Sequence, residues 1–307
     1  MPPVRIGARG SPLALAQAHE ARNRLARAHP HLAEPDAIEI VVITTTGDRI
    51  LDRTLMAAGG KGLFTKEIEE ALQEGRIDLA VHSMKDVPTR LPDGMEIAAL
   101  LPREDPRDAF FAREGQGLDD LPAGSVVGTA GLRRQAQILE RRPDLRVVPL
   151  RGNVQTRLAK LAAGEVDATL LALAGIRRLG LTDRVTRILE TEEMLPAVAQ
   201  GAIGVEIRTD DAATRALVAP LDCADTAWRV TAERAFLAAL DGSCRTPIAA
   251  LACLEGDRLT LTGKVSSPDG RIVFRKESAG HRTDAALLGT EAGMEIAALL
   301  PERFLCL

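Results

Sequence analysis

Residues 75–78 read Gly75-Arg76-Ile77-Asp78, and residues 164–167 read Gly164-Glu165-Val166-Asp167. Each tetrapeptide joins a stretch of helical periodicity to an apolar run. Leu63–Glu74 has the helical spacing, Gly75 fits its C-terminal stop, and Ile77–His82 reads as a strand. Later, Val154–Ala163 reads as a helix that ends at Gly164, and Val166–Ala172 reads as a strand. A second echo lies upstream of each: Ile6-Gly7-Ala8-Arg9-Gly10 and Val127-Gly128-Thr129-Ala130-Gly131. The two echoes recur in the same order, which predicts two similar α/β lobes.

The elements between the echoes agree. Val4–Gly7 reads as a short strand, and Ser11-Pro12 opens a helix with Ser at the N-cap and Pro at N1. Ile38–Thr45 is a β-branched strand run. With Ile77–His82 these predict a parallel sheet with helical crossovers. In the second lobe Ser125–Gly128 and Arg146–Leu150 read as strands, with a helix to about Arg141 between them. Leu101–Asp108, charged and punctuated by proline, reads as a hinge, and a second crossing falls near Met194–Gly201. From about Asp222 the pattern changes. A helix is predicted over Thr226–Leu240, then strands Ile248–Leu254, Arg258–Val265 and Arg271–Glu277 joined by hairpin turns, then a helix over Asp284–Leu300. The expected domains are 1–101 with 201–220, then 102–200, then 221–307.

The nonapeptide GMEIAALLP occurs twice, at Gly94–Pro102 and at Gly293–Pro301. The first copy follows a Pro-Asp-Gly turn inside a lobe, so Met95–Leu101 is predicted as strand. The second lies in the helical spacing of the last segment, so it is predicted as helix.

Composition narrows the function. Aromatic residues are 2% of 307, with no Tyr, which disfavours stacking on bases or sugars. A formal charge of -4 argues against generic nucleic-acid binding. The longest apolar stretch, near Ala168–Ile176, is far short of a membrane span, and the opening residues lack an apolar signal core. A cytoplasmic protein with no membrane or nucleic-acid partner is expected. Cys223, Cys244, Cys253 and Cys306 form no CxxC pair and have no His at ligand spacing, so no metal site is expected. Cys223, Cys253 and Cys306 read as buried hydrophobes. Cys244, in the turn Asp241-Gly242-Ser243-Cys244, reads as accessible.

In open α/β sheets, ligands bind beyond the carboxyl ends of the strands. In the first lobe those ends carry Arg9, Ser11, Asp48, Lys85 and Asp86. In the second they carry Thr129, Arg133, Arg134, Arg151, Asn153, Arg157, Arg177 and Arg178. Many arginines on two such edges of an acidic protein point to a polyanion, since guanidinium forks suit carboxylates. Singly, N-capping explains Ser11, solvated helix-end charge explains each arginine, and a surface ion pair explains Lys85-Asp86. Gly59-Gly60-Lys61-Gly62 lacks the spacing of a phosphate loop and reads as a mobile loop before a helix. Neither a dinucleotide fingerprint nor a Gly-x-Ser-x-Gly elbow is present.

These motifs together resemble the porphobilinogen deaminase (hydroxymethylbilane synthase) family. The resemblance rests on Arg9-Gly10-Ser11-Pro12-Leu13-Ala14, Gly59–Phe64, Val81-His82-Ser83-Met84-Lys85-Asp86-Val87-Pro88, Arg103–Ala109, Leu132–Gln135, Leu150–Val154 and Leu195–Gly201. It implies two periplasmic-binding-protein-like α/β lobes plus a C-terminal α+β domain with a small antiparallel sheet. It implies a monomer and a dipyrromethane cofactor held by a thioether to Cys244. On that cofactor four porphobilinogen units are joined head to tail, with loss of ammonia. Asp86 would be the catalytic carboxylate. Lys85, Ser11, Asp48, Thr129, Arg133, Arg134 and Arg157 would hold the cofactor with Cys244, and Arg9, Arg151 and Arg178 the substrate. Where the family carries Thr-Ser-Ser before the paired arginines, this chain reads Thr129-Ala130-Gly131. Backbone N–H groups at that helix start remain as anion donors. The residues alone leave open a different class, a bilobal anion-binding protein without chemistry.

Overall fold

The computed structural model describes residues 2–49, 64–114, 117–242, 246–301 and 304, with the side chains of Asp48 and Arg49 left out. In chain order the first segment holds β1 (Val4–Arg9), α1 (Pro12–Ala28), β2 (Ile38–Ile43), α2 (Thr46–Arg49), α3 (Lys66–Gln73), β3 (Leu79–Ser83) and β4 (Met95–Leu100). The second holds β5 (Asp108–Ala112), β6 (Val126–Gly128), α4 (Leu132–Arg141), β7 (Arg146–Val148), α5 (Val154–Ala162), β8 (Ala168–Ala172), α6 (Leu173–Arg178) and β9 (Arg187–Leu189). The chain then runs through β10 (Ile203–Arg208), α7 (Ala212–Val218), α8 (Ala224–Ala239), β11 (Ile248–Glu255), β12 (Arg258–Ser266), β13 (Val273–His281) and α9 (Ala285–Leu299).

Two five-stranded sheets share one topology, β2-β1-β3-β10-β4 and β7-β6-β8-β5-β9. In each, the strand that opens the repeat is flanked by two parallel partners. In both, the fourth strand, β10 or β5, runs antiparallel to each of its neighbours. The sheets are therefore mixed, which corrects the all-parallel expectation. The antiparallel strands β5 and β10 begin just after the two crossings, so each sheet completes itself with chain that has come from the other lobe. Sequence reading missed both strands because Asp108 heads one and Glu206 lies inside the other, and both carboxylates are fully buried. Asp108 belongs to the sheet rather than to a hinge.

Each sheet is covered on two faces. In the first, Ile6, Ala8, Leu79 and Val81 pack with Ala18, Ala21 and Leu25 of α1. The alternate positions Ile43 and Ala80 pack with Ile68 and Leu72 of α3. In the second, Phe110, Val127 and Leu170 pack with Ile138 of α4, and Phe111 and Leu171 pack with Leu158, Leu161 and Ile176. This is the strand alternation expected of a sheet buried on both faces.

The C-terminal sheet is antiparallel, β11-β12-β13. A two-residue turn containing Gly256 (φ +58°) joins β11 to β12, and Gly270 N–H closes the second turn onto Ser267 O at 2.9 Å. Phe236 of α8 is fully buried against Gly263 of β12, where any Cβ would overlap the ring. The described residues form two compact units. One holds the first sheet (2–49, 64–104 and 202–227), and the other holds the second and C-terminal sheets (105–201 and 228–304 where described). Within the second unit Glu233 of α8 is fully buried and accepts hydrogen bonds from Ala252 N–H (2.8 Å) and Ala199 N–H (2.6 Å). Ala199 has φ +57°, so this carboxylate pins a strained residue of the crossing segment to β11.

Cys253 is exposed and Cys223 half-buried, against the expectation of buried thiols. An exposed Cys253 follows from its outward register on β11, between half-buried Leu254 and buried Ala252. Cys306, Cys244 and the Gly59–Gly62 loop lie outside the described residues.

Candidate active site

In the first unit β1, β2 and β3 run parallel, so their carboxyl ends share one edge. Arg9 ends β1. Ser11 caps α1 by accepting Ala14 N–H at 3.3 Å. A tight turn, Met84–Asp86, follows β3 and carries Lys85 and Asp86, both half-buried. Arg9, Ser11 and Asp86 line one pocket, together with Gln17, Phe64, Thr65, His82 and Ser83. The guanidinium of Arg9 lies 4.2 Å from the centroid of the Phe64 ring, which fixes its direction through a cation–π contact. Gln17, which is buried, donates from Nε2 to Ser83 Oγ at 2.8 Å. Asp48 lies on α2, after β2 on the same edge, and is placed by its backbone alone.

Sequence reading found the charged members and missed Gln17, Phe64, His82 and Ser83. The signal was available. Gln17 lies at the sixth helical position of α1, and His82-Ser83 directly precede the motif Met84-Lys85-Asp86 on β3.

The second unit repeats the edge. Thr129 follows β6, Arg151 follows β7, and Arg178 ends the helix after β8. Thr129 Oγ1 accepts Gly131 N–H at 3.2 Å, so one N–H at the helix start is already engaged within the protein. Arg133 and Arg134 are neither solvated helix-end charges nor wholly free for ligand. Both are buried and share the carboxylate of Asp108, through Arg133 Nη2–Oδ2 at 2.7 Å and Arg134 Nη2–Oδ1 at 2.8 Å. Gln200 Nε2 adds a third donor to Asp108 Oδ1 at 2.9 Å. Burial alone would raise the Asp108 carboxyl, but the two guanidinium charges outweigh it and hold it well below the ordinary carboxylate range. Arg133 Nη1 also donates to Leu195 O at 2.7 Å.

Among the described residues, Arg134 Nε and Arg151 Nη1 are buried donors of this unit without an acceptor. An orphaned guanidinium N–H is costly in a folded chain unless a ligand completes it. Arg157 Nε donates to Gly152 O at 2.9 Å, and Arg178 Nη2 donates to Gly201 O at 3.2 Å. Arg177 lies 3.3 Å from Asp105 and serves an ion pair of the crossing segment.

Two strand-end edges carrying arginines and hydroxyls on one repeated fold, with Asp86 in the pocket of the first, carry the motifs of the family named above. The family description "Porphobilinogen deaminase, dipyromethane cofactor binding domain" matches residues 4–216, and "Porphobilinogen deaminase, C-terminal domain" matches residues 227–298. This chain belongs to the porphobilinogen deaminase family. The porphobilinogen deaminase of Nitrobacter hamburgensis is 58% identical over 302 residues, covering 98% of this chain and 95% of its own length. That of Paracoccus denitrificans is 57% identical, covering 98% and 96%. The chloroplastic enzyme of rice is 55% identical over 298 residues, covering 96% and 83%. Among solved structures, a periplasmic binding protein from Brucella ovis with glutathione bound is 15% identical with a TM-score of 0.42, covering 78% of this chain and 69% of its own. That likeness is too loose to carry an argument.

Proposed function

We propose that this chain is a hydroxymethylbilane synthase, a transferase that joins four porphobilinogen units head to tail into linear hydroxymethylbilane. Each condensation releases ammonia, and the chain grows on a dipyrromethane primer linked by a thioether to Cys244. The observation that carries the reading is Asp86 sharing a pocket with Arg9 and Ser11 at the strand ends, in a chain of this family.

The residues present fit a pyrrole primer bearing several carboxylates. Among the described residues, Arg134 Nε and Arg151 Nη1 are buried donors without acceptors, which is what a bound carboxylate supplies. Lys85, Ser11, Asp48, Thr129, Arg133, Arg134 and Arg157 are assigned to the primer. Arg9, Arg151 and Arg178 are assigned to the acetate and propionate of the substrate. Bound, the primer would supply the free pyrrole position from which the chain grows.

Asp86 is assigned the catalytic role. When ammonia leaves the aminomethyl carbon of porphobilinogen, an electron-poor azafulvenium remains. A fixed carboxylate stabilises that cation more than it stabilises the substrate. Arg9, held over Phe64, keeps a substrate carboxylate at the pocket mouth, so the aminomethyl carbon is delivered to Asp86. The proposed domains are 1–101 with 201–220, then 102–200, then 221–307, one sheet to each. A cytoplasmic monomer is the accompanying proposal.

Intact mass under denaturing conditions tests the reading. The wild-type chain should carry a covalent dipyrrole, and Cys244→Ser should lose it. Asp86→Asn should keep the adduct and lose turnover, by on the order of a hundred- to a thousand-fold. An unmodified wild-type chain that binds carboxylates without turnover would point to an anion-binding protein instead.

A further inference from the structure

Behind the Asp86 pocket lies a buried acid–base group that the reaction as assigned does not use. His82 on β3 is opposite Gly204 on the antiparallel strand β10, and Glu206 lies two residues further along β10. Diagonal residues on neighbouring strands point to the same face. There His82 Nε2 and Glu206 Oε2 meet at 2.8 Å, with side chains 4% and 0% exposed. Helix α3 covers this face and contributes Glu69. Glu206 Oε1 and Glu69 Oε1 are both buried without a hydrogen-bond partner among the described residues. Burial raises the Glu69 carboxyl, and the charge on Glu206 adds to that. The charged and titratable groups around the imidazole are thus Glu206 from β10, Glu69 from α3, Arg9 from β1 and Asp86 from the turn after β3.

His82 lines the pocket with Asp86 while Glu206 holds its Nε2 from behind. An ionised Glu206 keeps the hydrogen on Nε2, which leaves Nδ1 with a lone pair to accept a proton. The condensation needs such a group. The C–N bond of the aminomethyl carbon breaks with its electrons leaving on ammonia. A ring carbon that gains a C–C bond loses its hydrogen as a proton, and ammonia takes up a proton as ammonium. Nothing is oxidised, but one proton must be held between these events. Asp86 can pass a proton as well as stabilise a cation, and an imidazole beside it is a group suited to hold the proton between the two events.

We propose that His82, oriented by Glu206, is the proton-holding residue of the pocket, with Glu206 as its positioning residue. The inference rests on the deaminase reading of this site. Asp86 then stabilises the cation and His82 holds the proton beside it.

The test uses the full-length chain labelled with 15N-histidine, its His82 resonance assigned by difference from His82→Gln. In the wild type the acid limb of kcat/KM should coincide with the midpoint of the His82 resonance. Loss of the Glu206 charge makes the imidazole a weaker base. In Glu206→Gln the His82 midpoint and the acid limb should therefore both move to lower pH, by the same amount. His82→Gln should abolish that limb and lower kcat/KM on the order of a hundred-fold at neutral pH. A His82 midpoint that moves while the rate profile stays in place would overturn the proposal. So would a His82 that does not titrate, or a His82→Gln enzyme with wild-type rates. If Glu206→Gln fails to fold, His82→Gln decides alone. Wild-type protein without any porphobilinogen turnover would instead overturn the deaminase reading.

Discussion

Asp78 and Asp167 perform the same task in two different sheets. Asp78 Oδ2 accepts Arg5 N–H at 2.8 Å, and Asp78 N–H returns a bond to Arg5 O at 2.9 Å. Asp167 Oδ2 accepts Val126 N–H at 2.7 Å, and Asp167 N–H bonds Val126 O at 2.8 Å. Each aspartate thus seals the entry of the strand that opens its repeat. Arg5 also forms a fork with Asp78, but it is partly exposed, and exposed pairs contribute only about 0–1 kcal/mol. Asp78→Ala and Asp167→Ala should each cost about 1–3 kcal/mol by leaving a strand N–H unpaired. Arg5→Ala, which keeps its own N–H, should cost about 1 kcal/mol or less. Urea unfolding of the three variants checks this, and an Arg5→Ala cost equal to that of Asp78→Ala would show that the ion pair matters instead.

The repeat also places a glycine against a β-branched residue in both sheets. A Cβ on Gly7 would overlap Ile77 Cδ1, the far end of a side chain. A Cβ on Gly128 would lie 2.9 Å from Leu150 Cβ and 3.0 Å from Val166 Cγ1, atoms close to their backbones. Gly128→Ala should therefore destabilise by about 1–3 kcal/mol, and Gly7→Ala by less, because Ile77 can rotate away. Ile77→Val should rescue Gly7→Ala. Thermal unfolding that ranks Gly7→Ala as the more harmful would contradict the geometry.

Asp108 gives the molecule an acid-sensitive centre. Its carboxyl is held below the ordinary range by Arg133 and Arg134. A depressed carboxylate contributes stability above its unfolded pKa, about 3.9, and loses it as the pH falls from there toward the folded value. Asp108→Asn leaves two buried guanidiniums without their counter-charge and should cost about 3–5 kcal/mol at neutral pH. The gap between wild type and variant should narrow below about pH 4, and denaturant titrations at several pH values read it directly. A gap that stays constant from pH 7 to pH 3 would rule out this role.

How much of this could be read in the sequence depends on which signals are local. The Gly-x-[Ile/Val]-Asp echo is local, so both lobes and the order of their parallel strands were legible. The strands β5 and β10 were not, because their buried acids, Asp108 and Glu206, look like solvent-facing charge until a distant arginine pair or histidine is known to meet them. The candidate site divides the same way. Arg9, Ser11 and Asp86 follow strand ends and were found. His82 and Gln17 look like ordinary strand and helix residues, and only the tertiary fold brings them to the pocket. The paired arginines were assigned from the sequence to ligand carboxylates, and the structure shows both on an internal one, Asp108.

That internal partner sharpens what Arg134 can offer a ligand. One N–H2 is spent on Asp108 while Nε is unmatched among the described residues, so replacing Arg134 with Leu removes an acceptor-seeking edge and also takes one of two guanidinium charges from Asp108. Arg134→Leu should weaken pyrrole binding and lower stability together. Arg157→Leu leaves the buried Asp108 cluster intact, so it should weaken binding with a smaller loss of Tm than Arg134→Leu. Isothermal titration with porphobilinogen beside calorimetric unfolding separates the two, and equal loss of Tm in both would refute the distinction.

The twin nonapeptides show most sharply that context decides structure. In the first copy Met95–Leu100 forms β4, and in the second the same residues lie within α9, which ends at Leu299. Identical propensities are overridden by what each copy faces. Ile296 is buried at 1% exposure and Met294 is 61% exposed, whereas Met95 is half-buried against the Ile43–Ile68 cluster. The two leading glycines are needed for different reasons. Gly94 has φ +83° and open space around it, so its constraint is backbone handedness. Gly293 is helical, and a Cβ there would lie 2.6 Å from Ala239 Cβ and 2.8 Å from Phe236 O on α8. Gly94→Ala should cost about 1–2 kcal/mol through strain, and Gly94→Asn less, because Asn tolerates this region. Gly293→Ala and Gly293→Asn should both be harmful, at about 1–3 kcal/mol or more, since overpacking does not depend on handedness. Met294→Lys should lie within about 0.5 kcal/mol of wild type, while Met95→Lys should cost clearly more. Unfolding free energies of these variants decide the matter: if Asn relieved position 293 as it does position 94, the helical copy would not be limited by its contact with α8.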